Sequence, residues 1–268
     1  MPEPTKLLAC DMDGTVIPLT DQEAQHEALR RFKEKSANTP NLRLGYVTGR
    51  HLQLGLRGVA SHHLPMPHLF VCDVGTSIYF RKKGQWRLDE SYAEKLRRSW
   101  NDQGGAIRRL LAKVPGLKIQ EEEKQGEFKK SYYTDPAIAE KDIRQHIGAI
   151  FQVKGIKANL IYSFDNAKKV GLVDILPPMA AKDSALHHIV ASLQLERDHV
   201  VYAGDSGNDL LAFLSGYSAI LVANTDDVTR QRVLRVAKEK KFLDRIYCAR
   251  KPYTAGVVEG CEYFKVFA

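Results

Sequence analysis

The sequence contains no apolar stretch approaching the roughly 20 residues that a membrane-spanning helix needs. Its first apolar run ends almost at once in Asp11, so we expect no secretory signal there. Internal repeats and low-complexity segments are also lacking. With an ordinary composition of 44% hydrophobic and 27% charged residues, these absences predict a globular protein of the cytoplasm that does not use a membrane.

Cysteine is scarce, with only Cys10, Cys72, Cys248 and Cys261 in 268 residues. Their spacing does not match a metal site, and the first two lie inside apolar runs. We therefore predict buried thiols rather than a disulfide framework.

Acidic residues are fewer than basic ones, 32 against 40, which gives a net charge of +8. Residues 81–170 hold 20 Lys/Arg and 12 Asp/Glu, so this middle segment carries the whole excess. Two interpretations stay open, a solvated helical surface or a positive lid over an anionic ligand. A nucleic-acid surface would be a third, but the basic residues are spread out without an aromatic-basic motif, and we expect no nucleic-acid partner.

The N-terminal part of the chain alternates strands with helices. Apolar runs at 7–10, 42–47 and 69–72 predict buried strands, and a helix over 21–35, capped by Thr20 or Asp21, follows the first of them. Strand–helix alternation of this kind predicts a parallel sheet with right-handed crossovers. Two short strands around Lys83-Gly84 predict a hairpin.

The pattern then changes to helix, two strands, helix, two strands before alternation resumes after Pro177-Pro178. We place Pro136 at the first position of the second helix, with Asp135 as its cap. The length of the chain allows one large domain or two modest ones. We predict an α/β core in two pieces with an α+β domain inserted between them: core residues 1–80 and 172–268, and inserted residues 81–171.

Polar side chains follow four of the predicted core strands, at the sheet edge where α/β proteins bind ligands. Carboxylates there suit a cation, whereas a hydroxyl, glycine amides and a lysine suit an anion. That mixture favours phosphoryl transfer, which depends on positioning and charge stabilisation. Mg²⁺ fits because it takes hard oxygen ligands. The residues concerned are Asp11, Asp13, Thr48, Lys182, Asp205 and Asp209.

The stretches Asp11-Met12-Asp13-Gly14-Thr15 and Gly204-Asp205-Ser206-Gly207-Asn208-Asp209, with Thr48 and Lys182 between them, resemble the four motifs of the haloacid dehalogenase (HAD) superfamily of phosphatases. The inserted domain resembles that superfamily's large Cof-type (C2B) cap. Residues 73–79, 174–177 and 254–260 resemble the sucrose-phosphatase branch. The resemblance implies a Rossmann-like parallel-sheet core carrying an inserted α+β (αββαββ) cap.

The resemblance also implies a mechanism. Asp11 attacks phosphorus and forms an aspartyl-phosphate, and Asp13 protonates the leaving oxygen and then activates water, with Thr48 and Lys182 completing the catalytic set. Mg²⁺ is expected on Asp11, the carbonyl of Asp13 and Asp205, with Asp209 close by as a further metal residue. The implied phosphate-binding residues are Gly14, Thr48, Gly49, Lys182 and Asn208.

Specificity is expected from residues near the cleft and from the cap, which supplies the leaving-group contacts in this superfamily. This sequence has Lys129-Lys130-Ser131 where the family more often has a His-Lys pair followed by a β-branched residue and Ser. The implied substrate contacts are Arg50, Gly75, Thr76, Lys130 and Ser131.

We therefore expect a Mg²⁺-dependent phosphatase acting on a small phosphorylated sugar, with sucrose 6-phosphate or mannosylfructose phosphate foremost. Other osmolyte precursors stay open as substrates: mannosyl-3-phosphoglycerate, glucosylglycerol phosphate and trehalose 6-phosphate. A sugar phosphomutase or a non-catalytic binding protein are the alternatives, although the intact acids and lysine argue against the latter. The sequence leaves the oligomeric state open and is compatible with a monomer.

Overall fold

The computed structural model describes residues 5–19, 23–101, 103–165 and 169–267. The chain forms two compact units, which are described separately. The core unit comprises Met1–Leu88 and Lys182–Ala268, and the inserted unit comprises Asp89–Ala181. Across the described ranges, no helix is both long enough and apolar enough to cross a membrane.

The strands, in chain order, are β1 (Lys6–Cys10), β2 (Leu42–Val47), β3 (Leu69–Cys72), β4 (Ser77–Lys82), β5 (Gln85–Leu88), β6 (Leu117–Ile119), β7 (Lys130–Thr134), β8 (Asn159–Asp165), β9 (Val170–Leu176), β10 (Val200–Gly204), β11 (Ser218–Leu221) and β12 (Ile246–Cys248). The helices are α1 (Glu23–Ala37), α2 (Leu52–Ser61), α3 (Glu90–Trp100), α4 (Gly104–Leu111), α5 (Glu140–Lys154), α6 (Lys182–Ser192), α7 (Leu210–Phe213), α8 (Asp227–Glu239) and α9 (Tyr253–Tyr263).

The core unit is built on an eight-stranded sheet in the order β12-β11-β10-β1-β2-β3-β4-β5. The strands from β12 to β3 run parallel, and β4 and β5 extend the sheet as an antiparallel hairpin. β1 lies in the middle, pairing with β2 on one side and β10 on the other. Its apolar residues are fully buried, which is typical of a parallel strand covered on both faces. The α/β fold is confirmed.

Helices pack on this sheet through apolar residues, and the main core includes Leu8, Phe32, Tyr46, Phe70, Ile220 and Val257. α1 follows the first strand as predicted, while its expected caps, Thr20 and Asp21, lie outside the described residues. At α2 the side chain of His51 accepts the N–H of Leu54 and caps the helix. The parallel edge strand β12 was missed because its three residues carry too short a pattern to detect.

The inserted unit contains a four-stranded antiparallel sheet in the order β6-β7-β9-β8. Its buried apolar residues come from the strands and from α3, α4 and α5, and include Trp100, Ile107, Leu111, Tyr132, Ile147 and Val173. The unit therefore has an apolar core of its own.

The division of the chain differs from the expected one. The hairpin β4–β5 pairs with β3 and so belongs to the core unit, whereas β9 pairs with β7 and β8 and so belongs to the inserted unit. The boundaries consequently fall at 88/89 and 181/182 rather than at 80/81 and 171/172.

The expected start of the second inserted helix was also wrong. α5 begins at Glu140, while Pro136 lies in a turn in which Ile138 N–H donates to the carbonyl of Asp135. The side chain of Asp135 accepts from Ala137 N–H, 2.9 Å away. Proline one position after aspartate suits such a turn as well as it suits a helix start.

Candidate active site

The predicted polar residues of the core unit meet at one edge of its sheet. Asp11 follows β1 directly, Thr48 follows β2 and Asp205 follows β10. Because these three strands are parallel neighbours, their carboxyl ends lie side by side. Lys182 joins them as the first residue of α6.

Lys182 is fully buried and its ammonium has three oxygen acceptors. Its Nζ lies 2.8 Å from Asp11 Oδ2, 2.7 Å from Asp209 Oδ1 and 2.7 Å from Asn208 Oδ1. Burial by itself would lower the pKa of this ammonium, but the carboxylates of Asp11 and Asp209 outweigh burial and raise the pKa above its usual range. The group therefore stays charged.

Asp209 is used to hold its neighbours. Its Oδ1 accepts from Lys182 and from the hydroxyl of Tyr202, while its Oδ2 accepts the backbone N–H groups of Asp205 and Ser206. The side chain is fully buried. With both oxygens taken, Asp209 is better suited to orienting Lys182 and the turn at residues 205–209 after β10 than to binding a metal directly.

Asp11 and Asp205, with Asp209, offer carboxylate oxygens that all lie within 4.8 Å of one another. Asp11 Oδ1 accepts Met12 N–H and Asp205 Oδ1 accepts the hydroxyl of Thr15. Lys182 thus pairs with two of these three carboxylates, so the cluster holds more negative than positive charge.

The excess of negative charge contributes to raised pKa values of two carboxyl groups in the cluster, Asp11 and Asp205. Burial, then the charges of Asp209 and Asp205, raise the pKa of Asp11 well above its usual range despite the opposing effect of Lys182. Burial and the charge of Asp209 raise the pKa of Asp205 to about 7. Hard carboxylate oxygens that need a cation are the donor set that Mg²⁺ prefers, so the residues present fit the expected ion.

Residues Asp11–Ile17, here called the β1 turn, depend on glycine at position 14. Gly14 has φ +78°, and a Cβ there would collide with the carboxylate of Asp205. Its N–H donates to the carbonyl of Ile17, so this amide is already used inside the β1 turn. The expected phosphate contact at Gly14 therefore has to compete with that hydrogen bond.

Arg50, expected near the substrate, holds the carboxylate of Asp13 with two nitrogens. Nε lies 2.8 Å from Oδ2 and Nη2 lies 2.5 Å from Oδ1. Nη1 is 3.4 Å from the carbonyl of Leu54. A Cβ on Gly58 would lie 2.6 Å from Nη1, so the glycine leaves the space that the guanidinium occupies. A fork of this kind fixes the orientation of a carboxylate.

The loops after β2 and β3 support each other. Thr48 is fully buried, its hydroxyl accepts Arg50 N–H at 3.1 Å, and its carbonyl accepts Val74 N–H. Gly75 has φ +97°, and the buried hydroxyl of Thr76 donates to the carbonyl of Asp73. Gly49, expected to bind phosphate, lies between Thr48 and Arg50 in the same loop.

The two expected substrate residues of the inserted unit, Lys130 and Ser131, are neighbours on β7. Adjacent strand residues point to opposite faces of a sheet, so the two side chains do not share a surface. The ammonium of Lys130 donates to Gly126 O at 2.7 Å. The buried hydroxyl of Ser131 donates to Asp174 Oδ1 at 2.5 Å.

Sequence reasoning missed the partners that hold the β1 turn from outside. The amide of Asn224 donates to Gly14 O, and the hydroxyl of Thr254 donates to Val16 O. The signals available were that Asn224 follows a strand and that Thr254 opens one of the branch-like stretches, but neither indicates a contact with residue 14 or 16.

Comparison with known proteins gives the class first. The sucrose-phosphatase of Synechocystis sp. PCC6803, solved in complex with sucrose and phosphate, matches with a TM-score of 0.80 at 25% identity, over 98% of this chain and 99% of that one. A protein of Nitrosococcus oceani described as a HAD-like hydrolase is 35% identical over 97% of this chain and 72% of its own length. The chain is a HAD-fold phosphatase.

The comparisons also give the family. The mannosylfructose-phosphate phosphatase of Agrobacterium fabrum is 29% identical over 83% of this chain and 84% of that protein. The family model described as sucrose-6F-phosphate phosphohydrolase matches residues 4–265. The chain therefore belongs to this sucrose-phosphatase family.

Proposed function

We propose that this phosphatase is a Mg²⁺-dependent phosphomonoesterase that hydrolyses a disaccharide phosphate, foremost sucrose 6-phosphate or mannosylfructose phosphate. The observation that carries the proposal is the buried cluster in which Lys182 contacts Asp11 beside Asp205. Such a cluster provides a fixed nucleophile, a fixed cation and a place for a metal at one sheet edge. Family membership supports the choice of substrate class.

In the proposed reaction the carboxylate of Asp11 attacks phosphorus in line, and the bond to the sugar oxygen breaks. For this step one oxygen of Asp13 must leave the Arg50 fork and carry a proton, which it gives to the sugar oxygen. Asp13 then takes a proton from water, whose oxygen attacks the aspartyl-phosphate, releasing phosphate and restoring Asp11. Each proton and each bond is accounted for by these two residues and one water.

The remaining residues bind and orient. Lys182 neutralises charge on Asp11 and on the phosphoryl oxygens, Asn208 and Asp209 hold Lys182, and the Thr48-Gly49 loop contacts the phosphate. Asp11, Asp205 and the carbonyl of Asp13 would hold Mg²⁺. When bound, the ion offsets negative charge shared by the carboxylates and the phosphoryl group.

The choice of sugar rests on the relatives and on the inserted unit. One relative is named for mannosylfructose phosphate, and the Synechocystis sucrose-phosphatase was solved with sucrose and phosphate. We propose that the inserted unit acts as the cap that contacts the leaving sugar. Lys130 and Ser131 lie on opposite faces of β7, so one of them, and not both, contacts a sugar bound at one face.

The test is phosphate release from a panel of substrates, with Mg²⁺ and with a chelator. The panel comprises sucrose 6-phosphate, mannosylfructose phosphate, trehalose 6-phosphate, mannosyl-3-phosphoglycerate and glucosylglycerol phosphate. We expect the highest kcat/KM on one of the first two, activity that needs Mg²⁺, and loss of activity in Asp11→Asn.

Asp227→Asn, an exposed acid at the start of α8, is the matched control and should keep full activity. Release from no member of the panel would overturn the proposal, as would full activity of Asp11→Asn. Preference for one of the other three substrates would support phosphatase activity but overturn the proposed choice of substrate.

A further inference from the structure

The outer side of the β1 turn is held at two backbone carbonyls. Asn224 Nδ2 lies 2.8 Å from Gly14 O, and Thr254 Oγ1 lies 2.9 Å from Val16 O. Inside the turn, Gly14 N–H donates to Ile17 O, and Met12 O accepts from Thr15, Val16 and Ile17, whereas Asp11 N–H donates to Ala203 O of β10. The two held carbonyls are thus the points at which the segment after β11 and the start of α9 contact the β1 turn.

The donors come from two segments that are themselves tied together. Asn224 follows β11, and its Oδ1 accepts Tyr253 N–H at 2.9 Å at the start of α9. Ala223 N–H donates to Lys251 O at 3.0 Å. We call Asn224, Tyr253 and Thr254 the α9 brace. These hydrogen bonds fix Asn224 and the start of α9 relative to each other, so together they can set the position of the β1 turn.

The inner side of the β1 turn lies against Asp205. Gly14 lacks the Cβ that would collide with the Asp205 carboxylate, and Thr15 Oγ1 donates to Asp205 Oδ1 at 2.8 Å. The β1 turn is therefore enclosed between the α9 brace on one side and Asp205 on the other. Any outward or inward shift of the turn changes the spacing between Asp11 and Asp205.

We propose that Asn224 and Thr254 are positioning residues that act through the β1 turn and set the spacing of its carboxylates from Asp205. The inference rests on the proposed function, and it gives a role to the stretch beginning at Thr254 that the reaction itself does not use. Asn224 and Thr254 touch neither the phosphoryl group nor the metal in this proposal. Their effect is on the geometry of Asp11 and Asp205.

Attachment of α9 does not depend on these two hydrogen bonds. The helix contributes Val257, Val258 and Cys261 to the main core, and Gly260 lies directly against Ile220. Removing one hydroxyl from its first turn leaves this apolar packing in place. The consequence for catalysis can therefore be measured separately from the consequence for folding.

The experiment compares Thr254→Val, which keeps the shape and loses the hydroxyl, with Thr254→Ser, which keeps the hydroxyl. Asn224→Asp is an independent second variant, because it keeps the acceptor for Tyr253 and replaces the donor to Gly14 by an oxygen. Thr39→Val is the matched control, since Thr39 Oγ1 also donates to a backbone carbonyl, Lys35 O, at the end of α1.

The measurements are kcat and KM on the panel substrate that is hydrolysed best, Mg²⁺ affinity by calorimetry and the melting temperature. We expect kcat to fall about tenfold or more in Thr254→Val and Asn224→Asp, because misplacement by about 1 Å can cost about 10²-fold. We also expect weaker Mg²⁺ binding and little change in KM. Thr254→Ser should restore kcat to within about twofold, and Thr39→Val should lower only the melting temperature.

Wild-type kcat and Mg²⁺ affinity in both Thr254→Val and Asn224→Asp would overturn the inference. So would a loss of kcat that Thr254→Ser shares, or one that matches the fraction unfolded. If the wild-type protein hydrolyses nothing, the proposed function fails by itself, and Mg²⁺ affinity still decides whether the α9 brace positions the carboxylates.

Discussion

Asp13 and Arg50 form the most direct contact between the proposed proton carrier and the rest of the core unit. The guanidinium holds both carboxylate oxygens of Asp13 while its own position is set by Leu54 O and by the space beside Gly58. Arg50 therefore acts on Asp13, whatever it also contributes to binding a sugar. Loss of Arg50 should therefore lower kcat most for substrates whose leaving group needs a proton.

We expect Arg50→Ala to lower kcat for a sugar phosphate by about tenfold or more, as general acid catalysis typically contributes about 10²–10⁴-fold. Hydrolysis of p-nitrophenyl phosphate, whose leaving group needs no proton, should fall far less. Steady-state kinetics on both substrates measure the difference. Arg57→Ala, at an exposed position of the nearby helix α2, should change neither rate. Equal losses on the two substrates would contradict the role assigned to Arg50.

The acidity of Asp205 predicts how stability depends on pH. Burial and the charge of Asp209 raise the pKa of Asp205 to about 7 in the folded protein, against about 3.9 in an unfolded chain. Stability from the protonated carboxyl is complete below about pH 4 and is lost as the pH rises through about 7. Mg²⁺ at the proposed site would bind the ionised form of Asp205, so it should offset this loss.

We therefore expect Mg²⁺ to raise the melting temperature more at about pH 8 than at about pH 5, where protons compete for the carboxylate. Thermal unfolding with and without millimolar Mg²⁺ across this range measures the effect. Asp205→Asn should show little response to the ion and a flatter pH profile without it. An equal rise at both pH values in the unmodified protein would count against Mg²⁺ binding at Asp205.

Some residues of the candidate site can be predicted from the sequence next to them, and others cannot. Asp11, Asp13 and Thr48 follow strands directly, so the rule that parallel strands end at one sheet edge brings them together from sequence alone. The contacts of Asn224 and Arg50 cannot be found this way. Asn224 contacts Gly14, which is 210 positions away, and Arg50 contacts Asp13, which is 37 positions away. Side-chain packing in the folded core decides which acceptor each donor meets.

Among the elements, helix α2 contains a glycine, Gly58, that lowers its intrinsic stability but leaves space for the side chain of Arg50. Glycine inside a helix is less favourable than alanine by roughly 0.5–1 kcal/mol. Gly58 is nevertheless required, since a Cβ would lie 2.6 Å from Arg50 Nη1 and 3.1 Å from Met12 Cε. Glycine at position 58 therefore lowers helix stability but leaves the space that the Arg50 guanidinium occupies.

Gly58→Ala should therefore gain nothing in stability and should lower sugar-phosphate hydrolysis in the same way as Arg50→Ala. Gly148→Ala is the matched control, because Gly148 lies inside α5 and a Cβ there would meet nothing within 4 Å. That control should raise the free energy of unfolding by about 0.5–1 kcal/mol and leave kcat unchanged. Denaturant unfolding and steady-state kinetics measure both. A stabilised and fully active Gly58→Ala would contradict the packing argument.

Element positions were predictable where patterns were long or complete. β1 and β3 are short apolar runs, and β2 is apolar apart from the exposed Arg43. All three lie where the sequence predicts them. Pro136 and β12 were not predictable, because a turn and a helix start share the same residues and a three-residue strand carries no period. Pairing decides the unit boundaries. The β4–β5 hairpin was predicted, but the pairing of β9 with β7, which are separated in sequence by α5 and β8, is not encoded locally.

At the scale of the whole molecule, charge is distributed unevenly. Residues 81–170 carry 20 basic and 12 acidic residues, while the remainder is neutral. A net positive field attracts a phosphorylated substrate over a distance set by the ionic strength. If the basic segment is a positive lid over an anionic ligand rather than a solvated surface, the excess bears on encounter with substrate and not on the chemical step.

We expect kcat/KM to fall between about 10 and 150 mM NaCl, as the Debye length shortens from about 30 to about 8 Å, while kcat stays constant. Kinetics at fixed Mg²⁺ measure the slope. If the inserted unit is the proposed cap, replacing Lys113 and Lys118 by glutamine should flatten it, whereas replacing Lys240 and Lys241, outside the basic segment, should have a smaller effect. The same slope in both double variants would mean that only net charge matters.

The α9 brace has a consequence for how the protein is made. The α9 brace joins residue 16 to residue 254, so the β1 turn with Asp11 leaves the ribosome long before the threonine that contacts it. Contacts this distant in sequence close late, because the loops between them must first lose their conformational entropy. During synthesis the chain can build strands and even the whole inserted unit while its catalytic geometry is still unset. If the α9 brace positions the carboxylates as proposed, the chain reaches full activity only after α9 docks.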